Sequence, residues 1–298
     1  MAPIGAEPVG ATSRFGMEFA AARVCLPMRN FPAISKYVLF AALAFGAAAC
    51  SSGASETEAA SGSSGESTPP VEEPRDVPDT DPALLPGGVA TGVVAIDGTS
   101  IEYAVNVPDG FAAGDEAPLL LAFPGGGQTL SIASGMVEAT LSNEAERLGW
   151  VVVSPAAPDG VRFFDGSEAL VPGFLDWVET WVTPTGGAPH VLGPSNGGIS
   201  SFRYAIANPD RVQSVVVFPG FPRGDEDRAA LDQIVDIPIR LFAGGNDDPW
   251  VENAQMTVDA LDELGARDVE FVVFDGEGHL PDSTRDGTVL FEQLETFR

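Results

Sequence analysis

The chain reads as an α/β domain built on a mostly parallel sheet with helices on both faces, and three observations carry that reading. Short, continuous apolar runs such as 119–123 and 150–154 suit strands buried on both faces. Amphipathic stretches of helical period stand between these runs, so strands alternate with crossover helices. Glycine-rich breaks follow several of the runs, at the strand ends where such sheets hold ligands.

The length of 298 residues and a hydrophobic content of 44% give room for one sizeable core with extensions. Residues 1–49 are not part of it. Met28-Arg29-Asn30 and Lys36 precede an apolar run over 37–49, which ends in Ala47-Ala48-Ala49-Cys50. A basic start, a short apolar stretch and small residues are the parts of an export signal, and the run is too short to span a bilayer comfortably. Small residues before a cysteine resemble a bacterial lipobox, which implies cleavage before Cys50 and lipid attachment there; plain signal-peptidase cleavage is the alternative. Met28 is the expected true start, with 1–27 a mis-called extension.

Residues 50–82 are rich in Ser, Gly, Glu, Pro and Thr and nearly free of large apolar side chains, so they read as a disordered acidic tether. The domain is expected over 83–298. Cys25 and Cys50 are the two cysteines of the chain, so the exported protein would carry no disulfide. A net charge of −28, with Lys36 the sole lysine, disfavours nucleic acid and anionic membrane as partners; membrane contact is expected only through a lipid on Cys50.

Residues 93–96 and 101–107 alternate around Asp97-Gly98-Thr99 and predict an antiparallel hairpin at the sheet edge. The buried strand 119–123 runs into Pro124-Gly125-Gly126-Gly127-Gln128, whose successive glycines let backbone N–H groups face the space beyond the strand. A helix over 136–148 and a strand over 150–154 follow. The irregular stretch 155–171 holds Phe163 and Phe164, which either line a substrate cleft or pack in the core. A helix over 174–181 feeds the strand at 190–193. Then come a helix over 199–207, strands over 212–218 and 237–243, a helix over 254–264, a strand over 269–274 and a last helix over 286–297.

Gly193-Pro194-Ser195-Asn196-Gly197 stands between a strand and a helix and contains G-x-S-x-G, the turn that lifts a serine hydroxyl clear of the backbone. Gly193 and Gly197 would let strand and helix cross closely, with Ser195 in the strained conformation between them. A hydroxyl is a poor nucleophile until a base takes its proton, and neutral imidazole suits that task near pH 7. The two histidines are His190, inside a strand and read as structural, and His279, in the loop Asp275-Gly276-Glu277-Gly278-His279 after a strand. The acid that orients the imidazole is Asp247 or Asp248, at the end of another strand.

Taken together, 124–128, 193–198, Gly245-x-x-Asp248-Pro249-x-Val251 and Gly276-x-Gly278-His279 resemble the α/β-hydrolase fold. Pro-Gly-Gly-Gly-Gln followed by Gly-Pro-Ser-Asn-Gly-Gly is similar to the secreted polyhydroxybutyrate depolymerase and feruloyl esterase branch, and the likeness covers most of 100–298. It implies Ser195, Asp248 and His279 as catalytic residues, with Gly244-x-x-Asp247 leaving Asp247 open. It also implies an oxyanion hole from the N–H groups of Gly126 and Asn196. Pro124 stands where that family often has histidine, and Gly126 where it commonly has cysteine. The expected activity is that of an exported serine hydrolase of carboxylic esters, small or polymeric, working without metal or cofactor. A peptidase of the same fold and a non-catalytic exported binding protein are the alternatives.

Overall fold

The computed structural model describes residues 88–298. The expected signal, Cys50, the tether and the domain boundary at 83 lie outside the described residues. Among the described residues, no helix is long and apolar enough to cross a membrane.

The edge hairpin is formed by β1 (Gly88–Ile96) and β2 (Thr99–Val107), paired antiparallel with Val94 opposite Ile101. A two-residue strand, β3 (Glu116–Ala117), leads into the central strand β4 (Leu119–Ala122). The remaining strands are β5 (Val151–Pro155), the short β6 (Thr183–Pro184), β7 (His190–Gly193), β8 (Val215–Val217), β9 (Ile239–Gly244) and β10 (Val269–Phe274). Eight of them form one sheet in the order β1-β2-β5-β4-β7-β8-β9-β10, parallel from β5 onward; β3 and β6 pair separately.

Alternation along each strand puts neighbouring residues on opposite faces, and along β4, β5, β7, β8 and β9 both faces are dry. Leu119 and Leu121 of β4, Val191 of β7 and Leu241 of β9 enter one core, with Phe174 and Leu175 of α3 (Val171–Val178), Phe202 of α4 (Asn196–Ala207) and Leu261 of α6 (Asp248–Glu263). Leu120, Leu192 and Phe242 enter the other. There they meet Met136 of α1 (Leu130–Met136), Ala145 of α2 (Ser142–Leu148) and Leu290, Phe291 and Leu294 of α7 (Thr288–Thr296). A short helix, α5 (Asp225–Ala229), precedes β9.

The helix expected over 136–148 begins earlier and is not uniform. Between α1 and α2 the segment Val137–Leu141 forms a π-helical turn, closed by the Ser142 N–H on the Val137 carbonyl. The first residue before α7, Gly287, packs so closely on the Thr140 carbonyl that a side chain there would collide with it.

Candidate active site

Ser195 leaves β7 with φ 54° and ψ −121° and opens α4 with the next residue. The turn is possible because the chain crosses itself: a Cβ on Gly193 would strike the Gly197 carbonyl, and one on Gly197 the Phe123 carbonyl at the end of β4. The Ser195 N–H donates to the Pro219 carbonyl (2.7 Å), beyond the end of β8, so three adjacent strand ends fix the serine. Its Oγ lies 2.7 Å from His279 Nε2, and His279 Nδ1 lies 2.5 Å from Asp247 Oδ2.

Asp247, not Asp248, therefore faces the imidazole. Asp247 occupies the N-cap position of α6, where an aspartate usually bonds the helix's free N–H groups, yet its carboxylate makes no such bond and turns to His279. Asp248 is the first helical residue, about 100° further round the helix, and stands in solvent. The loops that bring acid and imidazole together are joined through Asn246. Its N–H donates to the Glu277 carbonyl (2.9 Å) and its Nδ2 to the Gly276 carbonyl (2.7 Å). Glu277 in turn accepts from the Ser283 hydroxyl (2.5 Å) and N–H (3.0 Å), bonds that hold its carboxyl pKa below the ordinary value.

The glycine loop packs against the serine, with the Cβ position of Gly125 3.8 Å from Ser195 Cβ. Gly126 has φ 53°, and its carbonyl accepts from Asn196 Nδ2 (2.7 Å), which ties the loop to the start of α4. Asn196 is the first residue of that helix, so its N–H has no intrahelical acceptor.

Gln128, which carried no role in the sequence reading, anchors this loop. It is fully buried, at φ 55°. Its Nε2 donates to the Pro124 carbonyl (3.0 Å) and Ser200 Oγ (2.9 Å), and its Oε1 accepts from the Phe163 N–H (2.9 Å). A polar residue closing a glycine run after a buried strand was the available signal.

Trp250 was also passed over: its ring meets His279 edge-on with centroids 4.8 Å apart and is backed by Phe221 at 4.8 Å. Phe163 and Phe164 do not line the cleft. Phe163 packs on Phe123 with centroids 5.2 Å apart, and Phe164 lies beneath the guanidinium groups of Arg162 and Arg223. His190 is buried in β7, with Nδ1 2.7 Å from Ser214 Oγ and its ring against Trp150; burial lowers its pKa to about 4. Among the described residues, no group of three His, Cys, Asp or Glu side chains is arranged to hold a metal ion.

Beside Ser195 and His279 lies a cleft of about 400 Å³ walled by Gly125, Gly126, Ile132, Met136, Thr140, Pro194, Phe218 and Leu280. Reactive groups and cleft sit at the carboxyl ends of the strands, where open α/β sheets hold ligands.

No family model and no curated protein sequence matches the chain. Solved structures do. A thermostable esterase matches with a TM-score of 0.56 and 16% identity over 70% of this chain, which spans 62% of that protein's length. A ferulic acid esterase gives 0.55 and 17% over 71% of this chain and 98% of its own. An S-formylglutathione hydrolase from Agrobacterium tumefaciens gives 0.55 and 18% over 72% and 96%. The chain has the α/β-hydrolase fold; identities this low speak for the fold alone.

Proposed function

We propose that the protein is a serine hydrolase of carboxylic esters in which Ser195, His279 and Asp247 act in series. The single observation that carries this reading is the unbroken relay from Ser195 Oγ through both ring nitrogens of His279 to the Asp247 carboxylate. Ser195 Oγ attacks the ester carbon while His279 Nε2 takes its proton, and the carbonyl electrons move onto the oxygen. That oxyanion is met by the N–H groups of Gly126 and Asn196, each donor being worth about 3 kcal/mol of transition-state stabilisation. The dipole of α4 adds its positive end at the same point. Collapse expels the alcohol, which leaves with the proton from His279, and water then repeats the sequence on the acyl-enzyme. Asp247 holds Nδ1–H and favours the imidazolium formed at each step.

A fluorophosphonate probe is expected to label the wild type at Ser195 and to leave Ser195→Ala unlabelled; equal labelling of both would end the assignment. We also propose export, from the basic start, the apolar run over 37–49 and the small residues before Cys50. Lipid attachment at Cys50 predicts a membrane-bound product that Cys50→Ala releases in soluble form.

A further inference from the structure

We infer that the cleft beside Ser195 seats one uncharged, apolar group of the substrate, and that Met136 and Thr140 set the length it accepts. This deepens the ester-hydrolase reading and rests on it. Among the described residues, His279 is the sole ionisable side chain on the cleft wall, and Ile132, Met136, Phe218 and Leu280 are its large apolar side chains. A carboxylate placed there would lose its water with no cation to meet it, in a chain of net charge −28. At about 400 Å³ the cleft is near the lower end of small-molecule sites, which run from roughly 300 to 1,000 Å³. It suits a single chain or ring rather than a stretch of polymer.

Two further observations point to an apolar occupant. Ile132 and Leu280 are 38% and 58% exposed, and both stand at this cleft, where a bound apolar group would cover them. Part of the wall is the junction of α1 with the π-helical turn, a local widening that recurs at functional sites. Met136 is the last residue of α1 and Thr140 lies within the turn, and both side chains line the cleft. Gly287 packs closely on the Thr140 carbonyl, so the turn is backed by the chain entering α7.

The test uses two ester series, p-nitrophenyl esters of increasing acyl length and alkyl acetates of increasing alcohol length. Met136→Trp and Thr140→Trp are expected to lower the kcat/KM ratio of six-carbon to two-carbon substrate about tenfold in one series, and that series identifies which side of the ester enters. Leu280→Ala, whose exposed side chain supports no core, is expected to lower the same ratio severalfold. If the acyl series responds, p-nitrophenyl hexanoate should exceed the mono-p-nitrophenyl ester of adipic acid by about tenfold or more, and if the alkyl series responds, hexyl acetate should exceed 6-acetoxyhexanoate likewise, as expected for a carboxylate buried without a partner. Flat ratios in both series for all three variants, or equal turnover of the carboxylated ester in the series that responds, would overturn the inference. Wild-type protein that hydrolyses no ester in either series would instead remove the hydrolase reading beneath it.

Discussion

Asp247 and His279, thirty-two positions apart, meet at 2.5 Å between Oδ2 and Nδ1, while the adjacent Asp248 faces away into solvent. A carboxylate at this place keeps the imidazole in the tautomer whose Nε2 can accept the serine proton. Asp247→Asn is expected to lower kcat by roughly 10³- to 10⁴-fold, by analogy with other serine triads. Asp248→Asn should change it less than about twofold, the usual range for a surface substitution. Steady-state kinetics on the two variants decides between them, and the reverse order would return the role to Asp248.

Gln128 bonds the loop before α1, helix α4 and the stretch around Phe163 through three side-chain hydrogen bonds. Methionine at this position would fill the space and take away the bonds to the Phe163 N–H and the Pro124 carbonyl, while Ser200 Oγ keeps its bond to the Asn196 carbonyl. Each buried orphan costs about 1–3 kcal/mol. Gln128→Met is thus expected to lower the urea midpoint and to depress kcat by roughly tenfold or more, because the proposed mechanism takes an oxyanion donor from this loop. A loss of stability with kcat intact would make Gln128 purely structural.

The fold was largely legible because its strands are short apolar runs bounded by Pro and Gly, as at β4, β5, β9 and β10. What escaped had specific causes. β1 begins at Gly88, five residues before the expected start, since Gly92 breaks the alternation; it lies under the ring of its cross-strand partner Tyr103. α1 contains Ser131, Ser134 and Gly135, poor helix formers that are carried by the burial of Ala133 and Met136. A π-helical turn has no local signal. The order Ser195, acid, His279 could be read from the chain, but the choice between adjacent aspartates depended on the phase at which α6 begins.

His190 links core packing to pH. Burial holds its pKa near 4, below the ordinary 6.5, so the unfolded chain binds more protons across that window. Stability contributed by the neutral ring is fully present above pH 6.5 and is lost as pH falls toward 4, amounting to about 3 kcal/mol at 1.36 kcal/mol per pH unit. His190→Gln cannot titrate, so its loss of unfolding free energy between pH 7 and pH 4 should be smaller than that of wild type by about that amount. Urea titrations at both pH values measure this, and equal losses would show that the ring is already protonated in the fold.

Ser195 is held at φ 54° and ψ −121°, a backbone state that a residue with a side chain adopts at a cost of about 1–3 kcal/mol. Glycine reaches positive φ without that cost, but it gives the unfolded chain extra freedom worth about 0.4–1 kcal/mol. The strain is the larger quantity, so Ser195→Gly should be more stable than wild type by roughly 1 kcal/mol while abolishing turnover. Ser195→Ala keeps the Cβ and the strain, so it should be equally inactive without that gain. Urea midpoints of the three proteins at one pH test the point. If the glycine variant falls level with or below the alanine variant, the elbow at Ser195 stores no usable strain, and its conformation is held at no net cost by the crossing of Gly193 and Gly197.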